Sequence, residues 1–182
     1  MKAHYGKNRP IVGNGGFSFL ELLIVITVIS LLIAVALNRF NRLLVDVERT
    51  SVEQDLGALR SAIGMQVAGH FLAGNMVGLQ QLVNSNPMDL LAEKPRSYIG
   101  AVSHRDAGEV EKGSWYFDTD DKALIYLVVH QDYFASELKP ARARFRIYPV
   151  YSEKKQGAGT KSYLSGLSLR PIEPYHWRKT SD

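Results

Sequence analysis

Residues 13–37 read Gly13-Asn-Gly-Gly16-Phe17-Ser-Phe-Leu-Glu21 and then Leu22-Leu-Ile-Val-Ile-Thr-Val-Ile-Ser-Leu-Leu-Ile-Ala-Val-Ala-Leu37. A glycine-ended leader carrying Lys2, Lys7 and Arg9 meets an apolar run whose only charged residue is Glu21. As a helix, Phe17 to Leu37 would span about 31 Å at 1.5 Å per residue, which matches a hydrocarbon core of about 30 Å. A lone ionised carboxylate in lipid costs on the order of a few kcal/mol, so it is rarely kept without a partner or a purpose. Ser18, Thr27 and Ser30 are tolerable there because their hydroxyls can bond back to helix carbonyls. Arg39, Arg42 and Arg49 follow the run, so the flanking charges alone leave its orientation open. Two other readings compete. Ala34-Val35-Ala36 offers a signal-peptidase site, although the run is long for a signal and carries an acid. A plain uncleaved anchor would make Gly16, Phe17 and Glu21 a coincidence.

Beyond Leu37 the helical pattern continues. Leu44, Val47, Val52, Leu56, Leu59, Ile63 and Val67 form an apolar stripe, with Arg42, Glu48, Arg49, Glu53, Asp55 and Arg60 at other positions, to about Gly69. There is no proline between Pro10 and Pro87 to force a kink. Gly57 and Gly64 share a face, where they either admit close approach of a sheet or fray the helix. Residues 70–97 connect, with a short helix expected over Leu79 to Val83 and an Asn86-Pro87 cap before Met88 to Ala92. Strands are expected over Tyr98–Val102, Ser114–Asp118, Ala123–His130, Ala143–Tyr151 and Ser162–Arg170. Pro149 predicts an edge position or an early strand end, and Glu153 to Thr160 a flexible loop or hairpin tip. Tyr175, His176 and Trp177 either pin the tail or face a partner. The fold class is therefore α+β, a long N-terminal helix packed against a C-terminal antiparallel sheet.

The leader, Gly16-Phe17, Glu21 five residues past Gly16 and the apolar run together resemble the type IV pilin and type II secretion pseudopilin superfamily. The segments Asn86-Pro-Met-Asp-Leu-Leu, Gly113-Ser-Trp-Tyr-Phe-Asp118 and Ala143-Arg-Phe-Arg-Ile-Tyr are more loosely similar to minor pilins of the mannose-sensitive haemagglutinin type. The resemblance implies a leader (1–16) removed between Gly16 and Phe17 by a prepilin peptidase, N-methylation of Phe17, a transmembrane and assembly helix (17–37), its amphipathic continuation (38–69) and a globular head (70–182). It implies that Glu21 pairs with the terminal amine of its own or a neighbouring subunit during assembly; otherwise the side chain simply snorkels. Expected partners are other pilin or pseudopilin subunits, the peptidase, an inner-membrane assembly platform and membrane lipid. The chain would sit in the inner membrane with a periplasmic head and then enter a filament. Many type IV pilins close their C-terminal region with a disulfide; a chain without cysteine cannot, which favours a pseudopilin or an atypical minor pilin.

Composition sets further bounds. The 182 residues hold 22 Lys and Arg against 18 Asp and Glu; without the three leader cations, 19 basic residues face 18 acidic ones. A nucleic-acid partner is therefore not expected, although Arg142, Arg144 and Arg146 alternate on one face of a strand, as a solvated face or a polyanion contact. Lack of cysteine excludes a lipoprotein anchor and palmitoylation. Asp118, Asp120 and Asp121 are candidate ligands for calcium, but Asp-rich turns between strands are also ordinary hairpin chemistry. His4, His70, His104, His130 and His176 follow no metal-ligand spacing. Cys nucleophiles, Gly-x-Ser-x-Gly and phosphate-cradling loops are missing, so no enzyme activity and no cofactor is expected. The expectation is a structural subunit of a pilus-like filament or secretion pseudopilus, with a membrane-tethered binding module as the alternative.

Overall fold

The computed structural model of the chain describes residues 18–103, 110–156 and 159–178. The leader, Gly16, Phe17, His4 and His104 lie outside the described residues. The chain forms two units, divided between Asn41 and Arg42, and helix α1 (Phe19–Leu72) supplies residues to both. At its start Ser18 Oγ accepts from the Glu21 backbone N–H at 3.2 Å, a side-chain cap for an otherwise unpaired amide. Thr27 and Ser30 donate to the carbonyls of Leu23 and Ile26 at 2.8 and 2.7 Å.

The second unit holds α2 (Met76–Gln81), a short 3-10 turn (Pro87–Leu90), and strands β1 (Tyr98–Val102), β2 (Trp115–Asp118), β3 (Ala123–Leu127), β4 (Phe134–Ala135), β5 (Arg142–Gln156), β6 (Gly159–Pro171) and β7 (His176–Trp177). Five strands form one sheet in the order β1-β2-β3-β5-β6; β4 and β7 pair separately. The sheet is antiparallel, as expected, except at one edge, where β1 and β2 run parallel. A parallel neighbour needs a crossover of roughly a dozen residues rather than a hairpin, and the stretch between Val102 and Trp115 is long enough. The β1 register slips between Tyr98 and Ala101, and Gly100 sits there at φ 112°, a conformation that glycine alone adopts readily. Of the two expectations for Glu153 to Thr160, a flexible loop or a hairpin tip, the hairpin holds, with β5 and β6 paired as far as Gln156 and Gly159.

The short connections follow local chemistry. Asn75 caps α2 by accepting from Gly78 N–H, and Asn86 accepts from Met88 N–H with Pro87 at the first helical position. The second cap matches expectation; the first begins α2 three residues earlier than Leu79. A Cβ at Gly78 would lie 2.6 Å from both the His70 ring and the Asn75 side-chain amide, so a larger residue there requires these side chains to move. Pro149 does not end its strand. Beyond Phe145, β5 is paired to β6 alone. Asn84 N–H reaches the Ile147 carbonyl on the open side. Residues two apart on a strand present backbone in the same direction, so Pro149 places its missing N–H on that open edge, as the edge reading requires.

The inner sheet face packs on α1. Val52, Leu56, Leu59 and Ile63 meet Trp115, Phe117, Leu124, Tyr126, Phe145 and Ile147. The apolar stripe is rotated at its beginning: Leu44 and Val47 are exposed, while Val45 is buried. Gly57 and Gly64 have open space where a side chain would go, so they admit no close approach of the sheet. The tail is pinned, with Phe134 stacked on Tyr175 and edge-on to Trp177.

Two carboxylates on α1 reach into this interface. Glu48, 9% exposed, accepts from the Tyr126 hydroxyl, from the backbone N–H groups of Val129 and His130, and pairs with His130 Nδ1. Asp55 accepts from Trp115 Nε1 at 2.8 Å. A stranded buried donor costs about 1–3 kcal/mol. Glu48→Ala strands several, so it is expected to destabilise the fold by about 3–5 kcal/mol, and Tyr126→Phe by about 1 kcal/mol; denaturant titration of the full chain in micelles, read by tryptophan fluorescence, measures both. Burial holds the Asp55 carboxyl above its ordinary 3.8, against the opposing pull of the Trp115 hydrogen bond. A raised carboxyl binds its proton more tightly in the folded chain, so its contribution is largest in acid and falls as pH rises through the raised value. Asp55→Asn keeps an acceptor for Trp115. It is expected to remove that fall, seen as a melting temperature that gains on the parent as pH rises above about 4.

Candidate functional site

The first unit is a helix surface without a packed core among its described residues. Every apolar side chain from Phe19 to Leu37 for which exposure is described is open, and α1 is long and apolar enough to cross a membrane. A helix that is apolar all round is ordinarily buried, either in a protein core or in a membrane. Glu21, in the first turn of α1, is the only charged residue between Ser18 and Leu37, and it is exposed. Position in the first turn is favourable for a carboxylate, because the helix N-terminus carries partial positive charge.

In the second unit the structure brings Asp118, Asp120 and Asp121 together at the β2–β3 hairpin. Asp118 Oδ1 accepts from the backbone N–H groups of Asp120 and Asp121 at 2.9 and 3.0 Å. Asp121 in turn pairs with Arg144 Nη1 at 2.9 Å. The Asp118 and Asp121 carboxylates are therefore used by the turn and by an arginine. Among the described residues no group of three or more His, Asp or Glu side chains is arranged to hold a metal.

The alternating arginines face away from α1, because Ala143, Phe145 and Ile147 between them are buried toward it. They form neither a freely solvated face nor an open basic stripe. Arg144 makes a forked contact with Glu173 as well as the Asp121 pair, and Arg146 donates to the carbonyls of Asp121 and Lys122 at the hairpin tip. Arg142 differs: its Nε is sealed from solvent and makes no hydrogen bond among the described residues. It lines a cleft of about 370 Å³ on this outer face, together with Lys112, Tyr116, Ile125, Leu127 and Pro140. Burial pushes the Tyr116 hydroxyl up, and the Arg142 charge opposes that shift.

Sequence reasoning placed Arg142 on the correct face but did not see the cleft. Its walls come from segments far apart in the chain, and the one available signal was the unbroken apolar run of β3, Ala123 to Leu127, which makes the sheet apolar on both faces and leaves Ile125 and Leu127 opposite the helix-facing residues. Glu48 was read as one more helix charge, although it lies three residues past Val45 and four before Val52, on the buried stripe. Comparisons of the chain with protein-family models, with curated proteins and with solved structures give no match.

If the hairpin acids serve the turn, about 5 mM calcium, well above the affinities of ordinary protein calcium sites, leaves the melting temperature of the full chain unchanged. Asp118→Ala removes the acceptor of two backbone N–H groups and lowers stability by about 1–3 kcal/mol, measured by the same denaturant titration.

Proposed function

We propose that the chain is a non-enzymatic structural subunit, a minor pilin or pseudopilin, of a type IV pilus-like filament or a type II secretion pseudopilus. The observation that carries this reading is the bare apolar surface of α1 with a single carboxylate, Glu21, in its first turn. An anchor needs only the apolar length. A carboxylate at that depth gains a purpose when a cation meets it, and the amine created by cleavage between Gly16 and Phe17 is such a cation, about one helical turn away. On a neighbouring subunit the same amine rewards one axial offset between packed helices. Leaving lipid for a bundle of like helices exchanges one apolar contact for another, so specificity rests on this charge pair and on side-chain fit. On this reading the precursor sits in the inner membrane with its leader cytoplasmic and its head periplasmic.

A second reading, a membrane-tethered binding module, is favoured by the outer cleft beside Arg142. It does not point to nucleic acid, since Arg144 and Arg146 are engaged within the fold.

The N-terminal residue and intact mass of protein recovered from its native membrane test the first reading. A chain beginning at methylated Phe17 supports it; one beginning at Leu37, or untrimmed, refutes it. Gly16→Trp is expected to leave an unshortened precursor. Glu21→Ala is expected to insert into the membrane normally but to be strongly depleted from sheared filaments, and undiminished incorporation would remove the assembly role.

A further inference from the structure

Among the described residues, the charges around the outer cleft do not cancel. Asp118 is held by two turn amides, Asp121 by Arg144, and Arg144 by Glu173 as well. What is left is cationic. Arg142 makes no ion pair among the described residues, and its buried Nε has no acceptor. Lys112 stands exposed at the same cleft, also without an ion pair among the described residues. A buried donor without an acceptor is costly, and arginine presents a planar fork that suits a carboxylate. The remaining wall is largely apolar, from Val110, Ile125, Leu127 and Pro140, with Tyr116 and Gln131 beside them. The volume, about 370 Å³, lies in the range of small-ligand sites.

We propose that this cleft binds a carboxylate carried on an apolar body, with the carboxylate on Arg142 and Lys112 and the body against Ile125, Leu127 and Pro140. The acids Asp118 and Asp121 on the same wall repel a multiply charged phosphate or an extended polyanion more than a single carboxylate. One negative charge against two cations, beside two engaged acids, is the favourable balance. The carboxylate belongs either to a small organic acid or to the C-terminus of a peptide ending in an apolar residue. The proposal stands apart from filament assembly, since none of these residues lies on α1.

Isothermal titration of the full-length chain in lipid nanodiscs with benzoate, blanked against empty nanodiscs, tests it. One saturable site per chain is expected. Arg142→Gln is expected to weaken it at least tenfold, Lys112→Gln by a smaller factor, and benzamide, which has the ring without the charge, is expected not to bind. A dipeptide ending in phenylalanine with a free carboxylate distinguishes the sources: binding tighter than benzoate identifies a peptide C-terminus, and weaker binding identifies a small acid. No saturable heat with either carboxylate, benzamide binding as well as benzoate, or affinity unchanged in both variants overturns the proposal. Should Arg142→Gln unfold, the exposed Lys112→Gln variant and the benzamide comparison decide alone.

Discussion

A carboxylate taken out of water between a helix and a sheet must find donors there, and their positions then cease to be adjustable. Glu48 is in that situation. Its acceptors are filled by the Tyr126 hydroxyl near the end of β3 and by the backbone and ring of the turn just after it. That arrangement sets the rotation of α1 about its axis, since turning the helix by one residue would move Glu48 away from all of them. It also explains why β3 stops at Leu127 rather than running to His130: the amides of Val129 and His130 are spent on the helix and not on a neighbouring strand. From there the chain enters the turn that presents Phe134 to Tyr175 and Trp177. Asp55, two turns along α1, repeats the device with Trp115. The apolar contacts supply most of the adhesion; the two acids choose one packing among the many that leucines and valines would accept.

Much of this was readable in advance because it is local. The 54-residue α1 follows from an uninterrupted apolar periodicity without proline, and Asn86-Pro87 announced its turn because the cap is written in adjacent residues. The strands sat where Tyr98, Trp115, Ile125 and Phe145 put aromatic and branched side chains. What escaped was set at a distance. The direction of β1 depends on the path of its connection to β2, not on Tyr98–Val102. The buried role of Glu48 depends on donors some eighty residues later, and a glutamate among arginines reads as solvent-facing until they are placed. Leu44 and Val47 look like core by spacing, yet the stripe is shifted by one residue so that Val45 and Glu48 face inward. The candidate calcium loop was ambiguous for the same kind of reason: Asp121 is answered by Arg144 from β5, which no turn motif discloses.

The two sheet faces divide the labour. The inner face is apolar and closed by α1, so it serves stability. The outer face carries Tyr116, Ile125 and Leu127 beneath three arginines, two of which are locked to the hairpin and to Glu173. Locking makes the third arginine distinctive, because a guanidinium held among neutralised neighbours has a defined position and a defined charge. A face of this kind is suited to recognition by shape and sign, whereas three free arginines would attract any polyanion without discrimination.

The unpaired side of β5 has a consequence for how copies of the chain can touch. A row of free backbone donors and acceptors invites another strand to add on, which is the usual route to edge-to-edge aggregation. Past Phe145 that row is blunted twice within three residues, by Asn84 occupying the Ile147 carbonyl and by Pro149 having no hydrogen to give. A register slip between Val150 and Tyr151 follows immediately. Beyond Phe145, β5 is therefore a poor template for sheet growth. Molecules crowded together at high local concentration must associate there through side chains, which can be selective, and not through shared backbone pairing, which cannot.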